Sequence, residues 1–275
     1  MVPPGPTGDA RNPLLACVSY PISGRETKPR TRGLTMVIDK GLGLAKTHDL
    51  LETAADYIDF VKLAFGTAVL YPPSLLARKI ELIRAAGVDV YPGGTLLEAA
   101  VLQGTAARFL AVAREVGFTY IEVSEGTIEL AADVRGDLIR RALDMGFGVV
   151  TEVGKKDPSR PLAPTQVAEQ AERDLAAGAF KVIIEGRDAG RNVGIYGPEG
   201  EIREALLESI VAALGSIDDV IWEAPQSGQQ RALLLKFGPR ANFGNVQPDD
   251  VVTLEAMRVG LRGDTLRRCV PANVG

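Results

Sequence analysis

The sequence predicts an α/β protein that forms a single (β/α)8 barrel after an irregular N-terminal arm. Eight short runs of β-branched or apolar residues recur about every 30 residues. Segments with helical spacing lie between these runs, and many of them end at a glycine just before the next run, where a helix favours a left-handed residue. The length of 275 residues suits one barrel of this kind. An open doubly wound sheet is the alternative, but the first predicted strand is not followed by GxGxxG.

The elements follow one another in a regular order. Residues 1–32 are rich in proline, glycine and charge and are predicted to form the arm, whereas residues 33–275 are predicted to form the barrel domain. Helical spacing is clear at residues 72–87 and 201–215. The eight predicted strands are residues 34–39, 57–65, 88–92, 119–124, 147–153, 181–186, 219–224 and 240–245.

Composition excludes several classes of protein. Hydrophobic residues make up 46% and charged residues 24% of the chain, which is typical of a globular protein. A net charge of −4 and an aromatic content of 5% argue against a nucleic-acid surface. No apolar run approaches the ~20 residues of a membrane helix, and the N-terminus lacks a signal-peptide pattern. Cys17 and Cys269 have no metal-ligand spacing around them, so we expect a reduced, cytoplasmic protein.

Four glutamates end predicted strands at corresponding places: Glu122, Glu152, Glu185 and Glu223. The carboxyl ends of barrel strands carry the chemistry, because the loops that follow them converge on one mouth. Each glutamate follows apolar residues and should be partly buried, and buried like charges need a cation or must take up protons. The all-oxygen ligand set favours Mg²⁺. A ring of glutamate–lysine and glutamate–arginine pairs that merely closes the barrel is the alternative.

Other residues at these ends could bind anions or act as acids. Gly93, Gly94 and Thr95 open a predicted helix, whose N-terminus favours a phosphate or carboxylate, although a simple strand-to-helix turn explains them equally well. Arg262 lies where barrels commonly bind phosphate. The remaining candidates are Lys40, Lys62, Ser124, Lys155, Lys156, Arg187, Gln226, Asn242, Gly244 and Asn245.

Two conspicuous residues are not expected to be catalytic. His48 is the only histidine, and it precedes the first predicted helix. Trp222 lies within the seventh predicted strand and is expected to pack in the core. The chain has no GxSxG, P-loop or DxDxDG motif, which excludes the corresponding hydrolases, NTPases and EF-hand proteins.

Long stretches of the chain resemble the phosphosulfolactate synthases, in order and over nearly the whole length after the arm. The matching stretches are KPRTRGLTMVIDKG (28–41), YIDFVKLAFGT (57–67), VYPGGTLLE (90–98), GFTYIEVSEGTIEL (117–130), TEVGKK (151–156), DLAAGAFKVIIEGRDAG (174–190), WEAPQSGQQ (222–230) and NFGNVQPDDVVTLEAMRVGLRGDTL (242–266).

The resemblance implies a (β/α)8 lyase that uses Mg²⁺ to add sulfite to phosphoenolpyruvate, giving the R isomer of phosphosulfolactate, as in coenzyme M and sulfolactate synthesis. It also implies a homo-oligomer. In this interpretation the metal and cationic side chains stabilise negative charge on the substrate carboxylate, and a general acid protonates C2. Lys155 or Lys156, with a pKa lowered by its neighbouring cation, is expected to be that acid, and Lys62 is the third candidate catalytic lysine. Lys40, Lys62, Arg187 and Arg262 would bind the substrate anions.

The chain departs from the family pattern at Phe65, where the family has tryptophan, and at Ser227, where it often has lysine. Phosphoenolpyruvate is therefore a firmer expectation than sulfite. A related barrel enzyme that uses another sulfur nucleophile is one alternative. A non-catalytic protein of the heat-stress-associated type is another.

Overall fold

A computed structural model describes residues 12–157, 159–160 and 163–269. Its strands are β1 Thr35–Asp39, β2 Phe60–Leu63, β3 Asp89–Pro92, β4 Tyr120–Val123, β5 Gly148–Val153, β6 Lys181–Ile184, β7 Val220–Glu223 and β8 Asn242–Val246. Its α-helices are α1 Leu44–Ala54, α2 Pro73–Ala85, α3 Gly94–Leu102, α4 Ala106–Val116, α5 Ala132–Asp144, α6 Pro164–Ala176, α7 Glu204–Leu214, α8 Ser227–Phe237, α9 Val251–Arg258 and α10 Gly263–Leu266.

The eight strands form one parallel sheet that curls into a barrel. Their order is β3-β2-β1-β8-β7-β6-β5-β4, so the first strand pairs with the last. The free edges of β3 and β4 approach each other, where the backbone N–H of Thr119 donates to the carbonyl of Val90 at 3.0 Å. The predicted (β/α)8 barrel is confirmed, and the open doubly wound sheet is wrong.

All eight predicted strands are present, although most are shorter than predicted. The second is the clearest example, since only four of the nine residues predicted at 57–65 form β2. A 3-10 turn, Ala55–Tyr57, precedes that strand. Phe65 has a φ of 56°, which is incompatible with a strand and lets the chain turn away at the mouth.

The core has two layers. One lies between the strands and the surrounding helices, and it includes Trp222, which is buried and stacks on Phe237 with ring centroids 5.7 Å apart. This confirms the predicted packing role of Trp222. The second layer fills the barrel interior with Leu34, Met36, Phe60, Tyr91, Val150, Ile183 and Ile221. These side chains fill the barrel interior below the mouth, the end at which the strands finish.

The described part of the N-terminal arm contacts the opposite end of the barrel through three cationic side chains. Arg25 pairs with Glu255 at 2.7 Å, and Arg30 pairs with Asp59 at 2.9 Å. The ammonium of Lys28 donates to three backbone carbonyls, those of residues 55, 58 and 87, at 2.7–3.1 Å. These contacts attach the arm to the end of the barrel at which the strands begin, away from the mouth.

Within the described residues, no helix combines the length and apolar character needed to cross a membrane.

Candidate functional site

The strands place four carboxylates on the inner wall of the mouth. Side chains two residues apart on a strand share a face, so Glu152 lies above the interior residue Val150. The same spacing places Glu185 above Ile183 and Glu223 above Ile221. All four predicted mouth glutamates, Glu122, Glu152, Glu185 and Glu223, are buried and line one cavity.

Lys62 lies at the centre of this group. Its ammonium is 2.9 Å from Glu122, 3.2 Å from Glu152 and 3.2 Å from Glu223. Burial acts to lower the pKa of Lys62, but the Glu122, Glu223 and Glu152 carboxylates overcome it and hold the pKa well above its ordinary value. Lys62 is therefore a permanent cation at the floor of the cavity.

The pKa values of Glu122 and Glu152 are shifted in opposite directions. Burial raises the pKa of Glu122 to about 7, against the opposing pull of Lys62. Burial also acts on Glu152, but Lys62 and Lys156 together outweigh it and lower its pKa to about 2. Glu152 is thus an anion at neutral pH.

Burial raises the pKa of the other two carboxyls as well. The pKa of Glu185 lies well above its ordinary value through burial and the Glu152 and Glu223 charges, and that of Glu223 is raised through burial despite Lys62. The cluster has more carboxylates than cations, so it either holds protons or accepts a further cation.

The two lysines of the β5–α6 loop point in different directions. The ammonium of Lys156 lies in the cavity wall, 3.7 Å from Glu152, 3.9 Å from Glu185 and 3.0 Å from the hydroxyl of Thr95. Lys155 turns outward, and its ammonium donates to the carbonyls of Glu125 and Ile128 at 2.7 Å. The prediction that Lys155 faces the site is wrong, because the positive φ of 124° at Gly154 starts a turn that brings only the second lysine over the mouth.

The expected pKa of the acid also needs correction. Burial acts to lower the pKa of Lys156, but the carboxylates of Glu152 and Glu185 reverse this and raise it. The prediction that the neighbouring lysine lowers the pKa of the acid is therefore wrong, because the ammonium of Lys155 lies outside the cavity that holds Lys156.

The start of α3 forms one side of the cavity. Gly93, Gly94 and Thr95 line it, and Gly93 caps the helix as predicted. The backbone N–H of Gly94 donates to Glu122 at 2.8 Å, so a protein carboxylate already occupies this donor. A side chain at residue 94 would collide with Ser124 and approach Glu122 to 2.8 Å, which explains the glycine.

The opposite side is formed by Arg187 and Asn245. Both have left-handed backbones, with φ of 57° and 53°, and the amide of Asn245 donates to the carbonyl of Arg187 at 3.1 Å. The Oδ1 atom of Asn245 is buried without a protein partner. With Phe65, these are three non-glycine residues of strained conformation around one cavity, a pattern typical of functional sites.

The cavity has a volume of about 310 Å³, at the small end of the ~300–1,000 Å³ range of ligand pockets. Several of its lining residues are not among the predicted site residues: Ile38, Ala64, Thr127 and Asp188. Glu98 was not predicted either. It is a buried carboxylate on α3 that accepts hydrogen bonds from Ser124 and from the backbone and side chain of Thr127. Strand periodicity carries no signal for Thr127 and Asp188, which lie in loops, or for Glu98, which lies in a helix.

Asn242 does not join the cavity. It lies at the first residue of β8, at the bottom of the barrel, where its amide donates to the carbonyls of Asp218 and Val220. The prediction is wrong because β8 begins at Asn242, two residues later than predicted, and ends at Val246, one residue later, so Asn242 is the strand residue furthest from the mouth. Gly244 also lies below the cavity, where an added Cβ would be 2.7 Å from Met36.

Four other predicted residues lie around the mouth but do not line the cavity. Ser124 donates to Glu98, and Gln226 caps α8 and donates to the carbonyl of Ala189. Arg262 donates to Ser227 at 2.8 Å, beside α8. Lys40 is exposed at the rim, 4.0 Å from Asp188. The structure gives these side chains protein partners rather than a place in the cavity. His48 is exposed on α1 and lies outside it as well.

Three of the glutamates fit a divalent cation. Carboxylate oxygens of Glu152, Glu185 and Glu223 lie within 4.8 Å of one another. One oxygen each of Glu152 and Glu185 is buried without a hydrogen-bond partner. An all-oxygen set of this kind suits Mg²⁺, which keeps several waters and needs only one or two carboxylates. Glu122 is outside this group, and one of its oxygens already accepts a hydrogen bond from the backbone N–H of Gly94.

Comparisons with known proteins point to one family. A family model described as (2R)-phospho-3-sulfolactate synthase (ComA) matches residues 23–264. A phosphosulfolactate synthase of Methanothermobacter thermautotrophicus is 44% identical over 244 residues, which cover 88% of this chain and 94% of that protein. A phosphosulfolactate synthase of Bacillus subtilis is 36% identical over 245 residues, which cover 88% and 95%. Among solved structures, a 3-hexulose-6-phosphate synthase has a TM-score of 0.54 at 14% identity and covers 86% of this chain and 99% of that one, which shows a shared fold alone.

Proposed function

The chain belongs to the phosphosulfolactate synthase family, and on that premise we propose that it adds sulfite to C3 of phosphoenolpyruvate to form (2R)-phospho-3-sulfolactate. The observation that carries this proposal is the position of Lys156. Its ammonium lies in the wall of a cavity that is floored by Lys62 and four glutamates. Such a cavity offers both a cation for an anionic substrate and a proton donor.

The reaction joins two molecules and releases none. The lone pair of the sulfite sulfur forms a bond to C3, and the π electrons of the C2–C3 double bond move to C2 and into the carboxylate. A proton then adds to C2, and the phosphate stays attached throughout. The enzyme has to stabilise negative charge beside C2 and to deliver one proton from one face.

Lys156 suits the proton delivery. Its raised pKa keeps the ammonium protonated at neutral pH, and a carbanion at C2 is far more basic than an amine, so transfer from the ammonium to C2 is downhill. Thr95 and Glu152 fix the ammonium on one side of the cavity, which would make protonation specific for one face. After transfer, a proton from bisulfite or solvent restores the ammonium.

The substrate anions would bind on the side of Arg187. Its side chain is exposed at the cavity, and a guanidinium matches the oxygens of a phosphate or carboxylate in a bidentate manner. Lys62 adds positive charge from below. Because its ammonium already contacts three glutamates, it would attract the substrate anions electrostatically without binding them directly.

We propose Mg²⁺ as the cofactor, held by Glu152, Glu185 and Glu223. When bound, the ion would neutralise the negative charge that gathers on the substrate carboxylate. The unpartnered oxygens of Glu152 and Glu185 support this assignment.

The choice of nucleophile can be tested directly. Purified protein with Mg²⁺ and phosphoenolpyruvate is offered sulfite, thiosulfate or a simple thiol in separate reactions, and the products are identified by mass spectrometry. We expect consumption of phosphoenolpyruvate with sulfite alone. Consumption with thiosulfate or the thiol instead would replace sulfite as the substrate, and no consumption with any of them would indicate a non-catalytic protein.

A further inference from the structure

The loop between β4 and α5, residues 124–131, is held against Lys156 from two sides. It leaves β4 at the mouth and contributes Thr127 to the cavity wall. Residues 124–131 form neither strand nor helix, so contacts with neighbouring elements determine the position of this loop.

Glu98 holds the loop from the side of α3. It is 2% exposed, and its carboxylate accepts hydrogen bonds from the backbone N–H groups of Gly126 and Thr127 at 3.1 and 2.9 Å. It also accepts from the hydroxyl groups of Ser124 and Thr127. One buried carboxylate thus satisfies four donors of a single loop, and charge-assisted bonds of this kind are roughly twice as strong as neutral ones.

Lys155 holds the same loop from the side of β5. Its ammonium donates to the carbonyls of Glu125 and Ile128, both at 2.7 Å, and lies 3.2 Å from the carboxylate of Glu129. The loop therefore has its N–H groups bound by an anion on one side and its carbonyls bound by a cation on the other.

The middle of the loop contacts Lys156 directly. The backbone N–H of Lys156 donates to the carbonyl of Gly126 at 3.0 Å. A Cβ at Gly126 would lie 3.0–3.2 Å from three carbons of the Lys156 side chain, so the aliphatic stem packs directly on this glycine. Any displacement of the loop would therefore move the stem of Lys156, and with it the ammonium.

We propose that Glu98 and Lys155 are positioning residues that lock the β4–α5 loop and thereby aim the ammonium of Lys156 into the cavity. Neither side chain lines the cavity, so each acts through Lys156 rather than on the substrate. The inference rests on the proposed role of Lys156 as the proton donor.

The kinetic test is a double-mutant cycle, since coupling between two residues shows as non-additivity. We expect Lys155→Met to lower kcat by about 10- to 100-fold, the scale of a misplaced catalytic group, with KM for phosphoenolpyruvate changed by less than about threefold. In a Lys156→Gln background, we expect Lys155→Met to change the residual rate by less than about twofold. The control is Lys236→Met, because Lys236 likewise binds two carboxylates but lies on α8 with exposed partners. It should keep the wild-type rate.

An equal loss from Lys155→Met in both backgrounds would overturn the inference, because it would indicate a general structural defect. Hydrogen–deuterium exchange supplies a readout that does not depend on activity. Glu98→Gln and Lys155→Met should each speed exchange in peptides covering residues 124–131, and Lys236→Met should not. Unchanged exchange in both variants would overturn the inference even in an active enzyme. An inactive wild type would instead reject the proposed function, and the exchange data would still decide whether the two residues hold the loop.

Discussion

The ammonium of Lys62 lies 2.9 Å from the carboxylate of Glu122, and both side chains are buried on the inner wall of the barrel. Glu152 and Glu223 share the same ammonium at 3.2 Å. One cation therefore holds three strands, β4, β5 and β7, to β2 across the mouth. The arrangement supplies both stability and the electrostatic field of the site.

Replacement of Lys62 should destabilise the fold. Lys62→Met leaves three buried carboxyls without their shared cation, and breaking a buried ion pair from one side costs about 3–5 kcal/mol. Urea denaturation at pH 7 measures the free energy of unfolding. Lys236→Met, which removes pairs with exposed partners, should leave the free energy of unfolding nearly unchanged. Equal losses in the two variants would contradict a special role for Lys62.

Replacement of Lys156 should affect the rate far more than the fold. Its ammonium is 3.7 Å from Glu152 and 3.9 Å from Glu185, beyond hydrogen-bond distance, so Lys156→Met should lower the free energy of unfolding by less than Lys62→Met does. Loss of a general acid should lower kcat by about 10²- to 10⁴-fold. Steady-state kinetics and urea denaturation on the same preparation measure both quantities. A rate within about twofold of wild type would reject Lys156 as the proton donor.

Binding of Mg²⁺ should depend on Glu185 and its neighbours. Isothermal titration calorimetry without substrate should detect binding to the wild type, and Glu185→Gln should weaken it at least ~10-fold by removing a charged ligand. Glu129→Gln is the matched control, because Glu129 is exposed and pairs with Lys155 and Arg160 outside the cavity. Equal affinities in all three proteins would place the ion elsewhere.

Gly94 should not tolerate a side chain. In Gly94→Ala the new Cβ would collide with Ser124 and crowd Glu122, and overpacking of this kind costs about 1–3 kcal/mol. Gly228→Ala, in the first turn of α8, meets open space and should be neutral or slightly stabilising. Thermal denaturation compares the two variants. A Gly94→Ala protein as stable as wild type would show that Ser124 moves aside without cost.

The contribution of Glu98 should depend on pH with a defined sign. Burial acts to raise its pKa, but hydrogen bonds from Ser124 and Thr127 and the charge of the facing Lys156 lower it below the usual 4.5. A group with a lowered pKa in the folded state contributes stability above its unfolded pKa and loses it as pH falls through the folded value. The destabilisation by Glu98→Gln should thus be largest near pH 7 and shrink below about pH 4. A constant difference from pH 7 to pH 3, measured by urea denaturation, would contradict this.

Much of the fold and part of the site follow from local rules. The eight strands were predictable because apolar runs and terminal glycines recur with the period of one βα unit. Glu152, Glu185 and Glu223 were predictable because residues two apart on a strand lie on the same face. The orientation of Lys155 and Lys156 was not predictable, because it depends on the path of a loop after Gly154. Glu98 was missed because its partners lie on a loop about 28 residues away, a contact that no local pattern indicates.

The eighth strand shows the cost of a small error in strand bounds. A strand at residues 240–245 would place Asn242 nearer the mouth, whereas the observed β8, Asn242–Val246, puts it at the bottom. A shift of two residues along a strand moves a side chain by roughly 7 Å while keeping it on the same face. Apolar periodicity therefore indicates which face of the sheet a side chain lies on, but not how far along the barrel axis it lies.

Phosphorus NMR of wild type and Lys156→Met, each with phosphoenolpyruvate, sulfite and Mg²⁺, tests the central claim most directly. We predict that the wild type converts the phosphoenolpyruvate signal into one new phosphate-ester signal without release of inorganic phosphate, and that Lys156→Met does so at least ~100-fold more slowly. Absence of the new ester with wild-type protein, or its formation at equal rates by both proteins, would contradict the account.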